Sequence, residues 1–104
     1  MAYRLEVTLE GELRIEQRIS YLINEKQNIS AAIHLADNIE LLYDRIANNP
    51  YEFPLCEDYA LAIMGYRKAI MSDMNYKLIY KIEDDIIYVV GLFNDLEDYS
   101  SKIR

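Results

Sequence analysis

Residues 66–93 read YRKAIMSDMNYKLIYKIEDDIIYVVGLF, and this stretch decides the fold. Two turn-forming segments, 72–75 (SDMN) and 83–85 (EDD), divide it into three runs that are typical of β-strands. The middle run alternates between an apolar side and a side with two lysines: Tyr76, Leu78, Tyr80 and Ile82 against Lys77, Ile79 and Lys81. The last run, 86–93, is apolar almost throughout, as expected of a strand covered on both faces. We therefore predict an antiparallel meander of three strands with one apolar and one cationic face.

The chain before this stretch predicts one strand and two helices. Residues 3–9 alternate between apolar and polar side chains, which indicates a strand that joins the sheet of the meander. From about Glu10 to near Lys26 the apolar residues recur with a helical period, and a second helix begins at Asn28 or Ser30 and ends at 48–50 (NNP). The short connection predicts an antiparallel helical hairpin that covers the sheet. Its apolar stripes are Ile15, Ile19, Leu22 and Ile23, then Ala32, Leu35, Ala36, Ile39, Leu42, Tyr43 and Ile46.

The remaining segments carry weaker patterns. Residues 51–59 predict a loop, 60–64 a short strand, and Gly65 a turn or bulge. After the meander, a polar run predicts a short helix from Asp95 with Leu96, Tyr99 and Ile103 on one side, although such a helix is marginal alone. The predicted class is α+β, in the order β-α-α-β-β-β with a short C-terminal helix. A length of 104 residues has room for a single domain, 1–104.

Charge and cysteine content limit the classes of function. Eighteen acidic and eleven basic residues give a net charge of −7, which disfavours non-specific nucleic-acid binding. Between Tyr66 and Lys81, however, four basic residues stand against Asp73 alone, so we expect the basic surface on the meander. A single cysteine, Cys56, excludes an internal disulfide and fits a reducing compartment. No signal-peptide pattern opens the sequence, and no apolar run approaches the roughly 20 residues of a membrane span. We expect a cytoplasmic protein without membrane contact.

Several short motifs succeed one another in a specific order. The hairpin 76–93, YKLIYKIEDDIIYVVGLF, joins a tyrosine-rich strand, an acidic turn and an apolar strand. Residues 47–54 (ANNPYEFP) end a helix and enter a loop with proline, and 93–103 (FNDLEDYSSKI) form the polar tail. Together with the element order, these motifs resemble the RelE/ParE superfamily of toxins from bacterial type II toxin–antitoxin modules. The hairpin is similar to the family's Y-[RK]-[LIV]-x-Y-x-[IV] strand with its acidic turn and second, apolar strand, and the tail is similar to a family version that reads Phe-His-x-Leu-Gln-Asp-Tyr. The resemblance covers nearly the whole chain.

The resemblance implies a toxin neutralised by a cognate antitoxin, a segment of which folds on binding. One branch of the superfamily cleaves mRNA on the translating ribosome, and another inhibits DNA gyrase, and fold alone does not choose between them. The partners implied are therefore the antitoxin together with either ribosome and mRNA or gyrase. The enzymatic version is a ribosome-dependent endoribonuclease, an mRNA interferase. The alternative is a non-catalytic protein of the same fold, either a gyrase inhibitor or a degenerate toxin that only binds its antitoxin.

The resemblance also assigns candidate site residues. RNA cleavage by a 2′-OH needs a proton acceptor, a proton donor and cations that stabilise the developing charge. The residues that match are Arg67 and Lys77, which would neutralise the scissile phosphate, and Tyr99, which would transfer a proton. Further expected RNA contacts are Lys68, Lys81, Asn94 and Lys102.

Two positions depart from the pattern of the cleaving branch. Ala69 stands where that branch keeps a second basic residue, and Asn94 stands where related tails carry His or Arg. An amide does not transfer protons near neutral pH, so both departures favour the non-catalytic alternative. Without the resemblance, the cations of the meander would be interpreted as a solvated face with weak ion pairs, and Tyr99 as a packing residue of the tail. No cofactor is implied, and one histidine, His34, gives no metal site.

Overall fold

The computed structural model describes residues 3–95 and 97–103. Four strands form one sheet in the order β1-β4-β3-β2, in which β1 runs parallel to β4 and the other pairs are antiparallel. The elements along the chain are β1 (Arg4–Val7), α1 (Leu9–Ser20), a π-helical turn (Tyr21–Glu25), α2 (Ile29–Asn48), α3 (Tyr59–Ile63), β2 (Tyr66–Ile70), β3 (Tyr76–Glu83), β4 (Ile86–Asn94) and α4 (Tyr99–Ile103). The predicted α+β class, the meander and the helical hairpin are confirmed, and α3 is an addition.

The strand β4 lies between β1 and β3; buried and partly buried residues alternate along its first part, and both faces are buried at 91–93. A β-bulge interrupts its pairing with β3. Ile79 pairs with Gly91 whereas Tyr80 pairs with Val89, so β4 has one more residue than β3 in this interval. Because the extra residue resets the alternation, Val89 and Leu92 both face the same core. The β3–β4 turn uses Asp84 at a positive φ of 56°, which aspartate tolerates better than most residues.

The helical hairpin packs on one face of the sheet and forms the main core. Thr8 caps α1, since its hydroxyl oxygen accepts a hydrogen bond from the Gly11 N–H at 3.1 Å. Gly11 lets α1 approach β4 closely, because a Cβ there would stand 2.8 Å from the carbonyl oxygen of Val89. Asn28 caps α2 through the N–H of Ala31 at 3.0 Å. The buried members of this first core are Leu35, Ile39, Leu42, Ile46, Phe53, Ala69, Met71, Leu78, Tyr80, Ile87, Val89 and Leu92.

The predicted end of the first strand and the predicted end of the first helix were wrong in detail. The period of 3–9 extends the first strand to Leu9, but the strand ends at Val7, because the Thr8 cap starts α1, and Leu9 is 74% exposed. The first helix does not continue regularly to Lys26. Its end widens into a π-helical turn, closed by a hydrogen bond from the Lys26 N–H to the carbonyl of Tyr21 at 3.1 Å. The wider turn carries Ile23 out of the apolar stripe, so this side chain is exposed.

The strand predicted at 60–64 was also wrong, because this segment is the helix α3. Asp58 precedes it in an extended conformation, and its carboxylate accepts a hydrogen bond from the Leu61 N–H at 3.1 Å, which is an N-cap. Gly65 then makes the predicted turn at a φ of +89°.

The second face of the sheet does not form the cationic, solvent-facing surface that the alternation predicts. A second core lies there, made of Cys56, Leu61, Tyr66, Ile79 and Phe93, with Val90, Tyr99 and Ile103 packed against it. The loop 51–58, α3 and the C-terminal segment supply the cover. The prediction failed because one strand's period does not show what packs above it.

The C-terminal helix α4 begins at Tyr99, later than the predicted start at Asp95. Tyr99 and Ile103 pack on the same side, as predicted, whereas Leu96 lies outside the described residues. Among the described helices, none has the length and apolar character that crossing a membrane requires.

Candidate functional site

The strand register places three lysines on the second face of the sheet. Lys81 pairs with Tyr66, Lys68 with Ile79 and Lys77 with Ile70. Because directly opposed residues of antiparallel strands share a face, these side chains lie on the same side as the second core. Tyr99 of α4 packs over that core. We call the set formed by Lys68, Lys77, Lys81 and Tyr99 the lysine face.

Lys77 occupies the most enclosed position of the lysine face. Its side chain is buried, with a relative exposure of 8%, and its Nζ lies 5.0 Å from the centroid of the Tyr99 ring. This distance is that of a cation–π interaction. Lys77 forms no ion pair with any carboxylate of residues 3–95 or 97–103. Glu57 is close enough for the charge of Lys77 to contribute to the lowered pKa of its carboxyl, but its hydrogen bond is with Lys68. Because a buried amine without a directly bound carboxylate among the described residues costs free energy, this position favours an anionic ligand.

The Tyr99 hydroxyl keeps its proton near neutral pH. Burial, together with the neighbouring Cys56 thiol to which it is hydrogen-bonded, raises the pKa of Tyr99 to about 12. Burial likewise raises the pKa of Cys56, a thiol that is only 3% exposed. Near neutral pH both groups therefore keep their protons. Cys56 is a buried thiol, and its raised pKa opposes a nucleophilic role.

The two outer lysines are paired with carboxylates. Lys68 donates a hydrogen bond to Glu57, and this bond is the main cause of the lowered pKa of the Glu57 carboxyl. The Lys81 Nζ lies 3.1 Å from a carboxylate oxygen of Glu83 and 5.3 Å from the centroid of the Tyr66 ring. The hydrogen bond with Glu83 raises the pKa of Lys81. A carboxylate with a lowered pKa accepts protons poorly, so Glu57 is suited to holding Lys68 rather than to base catalysis. Glu57 lies in a loop without a clear sequence pattern and was not predicted.

Arg67 does not join the lysine face. It pairs with Tyr80 and so lies on the opposite side of the sheet, toward the first core. Its Nη1 donates to the carbonyl oxygen of Phe53 at 2.6 Å, and its guanidinium stands 5.0 Å from the ring centroid of Tyr51. In this conformation Arg67 fastens the loop that comes after α2, and the sheet separates it from Lys77.

The two tail residues predicted to contact RNA lie at the margins. Asn94 pairs with Tyr76, on the face of the first core, and its backbone N–H donates to the Glu97 carboxylate at 3.1 Å. Lys102 also donates to Glu97, at 2.9 Å, and is partly exposed. Within the described ranges, no group of three or more His, Cys, Asp or Glu residues could hold a metal ion.

The lysine face can therefore bind an anion and supply a proton. Lys77 provides an enclosed positive charge, Tyr99 a protonated hydroxyl, and Lys68 and Lys81 flanking cations. This set meets two of the three needs of RNA cleavage, a cation at the phosphate and a proton donor.

The sequence matches no established family model. No curated protein matches it either. The structure is similar to a chain of the solved structure described as the chromosomal ParDE TA system from P. aeruginosa, with a TM-score of 0.69 and 10% sequence identity. The similarity covers 88% of this chain and 95% of that chain. It confirms the expected RelE/ParE-like fold, and at this identity it concerns the fold alone.

Proposed function

We propose that this protein is the toxin of a type II toxin–antitoxin module and that its lysine face is the functional site. The fold shared with a chain of a ParDE TA system supports the toxin class. The observation that carries the site is Lys77, a lysine buried beside Tyr99 without an ion pair to a described carboxylate. A lysine required only for solubility would be exposed, and one required only for packing would cost less as an apolar residue.

In the enzymatic version, the toxin cleaves mRNA on the ribosome. Lys77 neutralises the scissile phosphate, the 2′-oxygen attacks the phosphorus and gives its proton to a water molecule, and the bond from phosphorus to the 5′-oxygen breaks. The Tyr99 hydroxyl donates its proton to that leaving 5′-oxygen and regains a proton from solvent. Lys68 and Lys81 hold the neighbouring phosphates of the strand. The ribosome supplies further contacts to RNA, which an acidic protein would otherwise repel. Arg67 fastens the loop after α2 from the opposite face of the sheet and takes no part in cleavage in this version.

The second version is a toxin that binds its target, such as DNA gyrase, without cleaving RNA. One observation favours it: the Glu57 carboxylate, which is paired with Lys68 of the lysine face, has a lowered pKa and is a poor proton acceptor. The departures at Ala69 and Asn94 point the same way. In this version the same cationic face binds an acidic surface of the target.

The antitoxin is the partner common to both versions. Exposed aliphatic residues lie on the helical hairpin, among them Leu9, Leu13, Ile29, Ile33 and Leu41. Glu12, Glu16, Asp37 and Glu40 are exposed on the same two helices. Apolar and acidic side chains in this combination fit an amphipathic antitoxin segment with basic residues, which folds as it binds.

The test is to induce the protein without an antitoxin, to monitor growth and to map the ends of cellular transcripts. The enzymatic version predicts growth arrest with new mRNA ends, and Lys77→Ala and Tyr99→Phe should each abolish both. Lys26→Ala, directly after the π-helical turn and away from the lysine face, is the matched control and should remain toxic. Arrest with unchanged mRNA ends would refute cleavage and favour target binding. Normal growth would refute the toxin assignment, and toxicity of both site variants would refute the site.

A further inference from the structure

The C-terminal segment is held by one carboxylate on which three cations converge. The Glu97 carboxylate lies 3.5 Å from Arg18 Nη2, 3.8 Å from Arg14 Nη1 and 2.9 Å from Lys102 Nζ. It also accepts the backbone N–H of Asn94 at 3.1 Å. With a side-chain exposure of 18%, Glu97 is surrounded mainly by donors. The arrangement is that of a bound anion in a cationic site.

The two arginines are held in place independently of Glu97. They lie one turn apart on α1, and their side chains are 22% and 27% exposed. The Arg14 guanidinium stands 4.5 Å from the ring centroid of Phe93, and that of Arg18 stands 5.4 Å from the ring centroid of Tyr21. Stacked guanidinium groups lose little freedom when they bind, so they are prepared for a phosphate or carboxylate. A second carboxylate, that of Glu10, lies 3.5 Å from Arg14, but it is 66% exposed and so contributes little to holding the Arg14 side chain in place.

Beside these arginines is an open cavity of about 480 Å³. It is lined by Arg14, Gln17, Arg18, Tyr21, Leu92 and Glu97. The guanidinium and amide groups are donors for phosphate oxygens, and the Tyr21 ring, which lies beside Arg18 and Lys26, adds an aromatic group next to these cations. Cations combined with an aromatic surface are typical of sites that bind a single nucleic-acid strand. Sequence patterns indicated only Lys102 as an RNA contact and not Arg14 or Arg18, because the residues of this site come from distant segments of the chain.

We propose that Arg14, Arg18 and Lys102 bind a phosphodiester group of a single nucleic-acid strand, which takes the place of the Glu97 carboxylate. A phosphate offers more acceptor oxygens than a carboxylate and matches the planar donors of arginine. None of these three residues belongs to the lysine face, so this proposal holds whether or not the lysine face cleaves RNA.

Displacement of Glu97 also has a structural effect. Glu97 ties the segment 97–103 to α1, and the same segment carries Tyr99 over Lys77 and Cys56. A strand that binds at Arg14 and Arg18 therefore loosens the cover of the lysine face. Binding at α1 thereby uncovers the enclosed Lys77 amine on the second face of the sheet.

Binding is tested by fluorescence anisotropy with end-labelled single strands of about ten nucleotides, as RNA and as DNA, at low salt. The double variant Arg14→Gln/Arg18→Gln should weaken binding by about tenfold or more. Arg4→Gln/Arg45→Gln is the matched control, because it removes two equally charged, exposed arginines with exposed carboxylate partners and should change affinity less than about twofold. Equal affinity of both double variants would overturn the proposal. A stronger effect on RNA than on DNA would indicate a contact with the 2′-OH.

Glu97→Gln provides a second test that does not remove a cation. The affinity for the oligonucleotide should rise several-fold in this variant, because the competing carboxylate is gone. If Glu97 does not compete with the oligonucleotide, the affinity should stay unchanged. The alkylation rate of Cys56, which is buried beneath Tyr99, reports whether the segment is docked. The rate should rise in the Glu97→Gln variant without oligonucleotide. It should also rise when the oligonucleotide is added to the protein that retains Glu97. Unchanged affinity in Glu97→Gln together with an unchanged Cys56 rate would refute the displacement of Glu97.

Discussion

Replacing Lys77 by methionine separates stability from function at the lysine face. The cation–π contact with Tyr99, at 5.0 Å, contributes about 0.5–2 kcal/mol. Methionine fills a similar volume and returns about 0.3–1.5 kcal/mol through its own contact with the ring. These two contributions nearly cancel. The remaining difference is the cost of burying the amine, which the natural protein has and the methionine variant does not. We expect the free energy of unfolding of Lys77→Met to stay unchanged or to rise by up to about 2 kcal/mol, while growth arrest is lost.

Arg67→Met is the matched comparison on the opposite face of the sheet. It removes the hydrogen bond to the Phe53 carbonyl at 2.6 Å and should lower the free energy of unfolding by about 1.5–3 kcal/mol. Growth arrest should persist in this variant wherever the folded protein accumulates. Urea unfolding monitored by circular dichroism gives the stabilities, and induction in cells gives the toxicity. A loss above about 1 kcal/mol in Lys77→Met, with toxicity retained, would refute the reasoning, because the amine would then be a structural requirement.

The described contacts predict three further outcomes. Tyr80→Phe should lower the free energy of unfolding by about 1–3 kcal/mol, because the buried hydroxyl donates to the Pro50 carbonyl at 2.6 Å; urea unfolding measures it, and an unchanged midpoint would contradict it. Gly11→Ala should lower the melting temperature, since a Cβ at 2.8 Å from the Val89 oxygen costs about 1–3 kcal/mol and outweighs the helix propensity of alanine, about 1 kcal/mol. Burial raises the pKa of Glu97, but hydrogen bonds and nearby cations outweigh it and hold the pKa below the ordinary 4.5. The docking of the C-terminal segment should therefore be complete above pH 4.5 and weaken as the pH falls through that lowered pKa; NMR signals of α4 would show it, and Glu97→Gln should not respond.

The fold was predictable wherever the signal is local. The meander and α2 are indicated by the period of apolar residues and by turn and cap residues that stand beside them in the sequence. The helix α3 was missed although its cap, Asp58, is also local, because the short apolar run after it suits strand and helix alike.

The candidate site was less predictable, because it depends on register and on distant segments. Whether Arg67 and Lys77 share a face is set by the pairing of β2 with β3, and a shift of one residue would reverse the answer. Lys77 is enclosed on the face that carries the second core, where it contacts Tyr99, and much of that core comes from segments far from Lys77 in the chain. The alternation of apolar and polar residues in a single strand therefore predicts neither the face on which Arg67 lies nor the burial of Lys77.

The parallel pair β1–β4 has a consequence for the timing of synthesis. Arg4 pairs with Ile86, so the first strand emerges from the ribosome long before its partner exists. At an elongation rate of about 5–20 residues per second, the interval is roughly 4–16 s. During this time the helical hairpin can form, but the sheet that carries the lysine face cannot be completed. A nascent chain therefore presents its hairpin to other proteins before it has a finished functional surface.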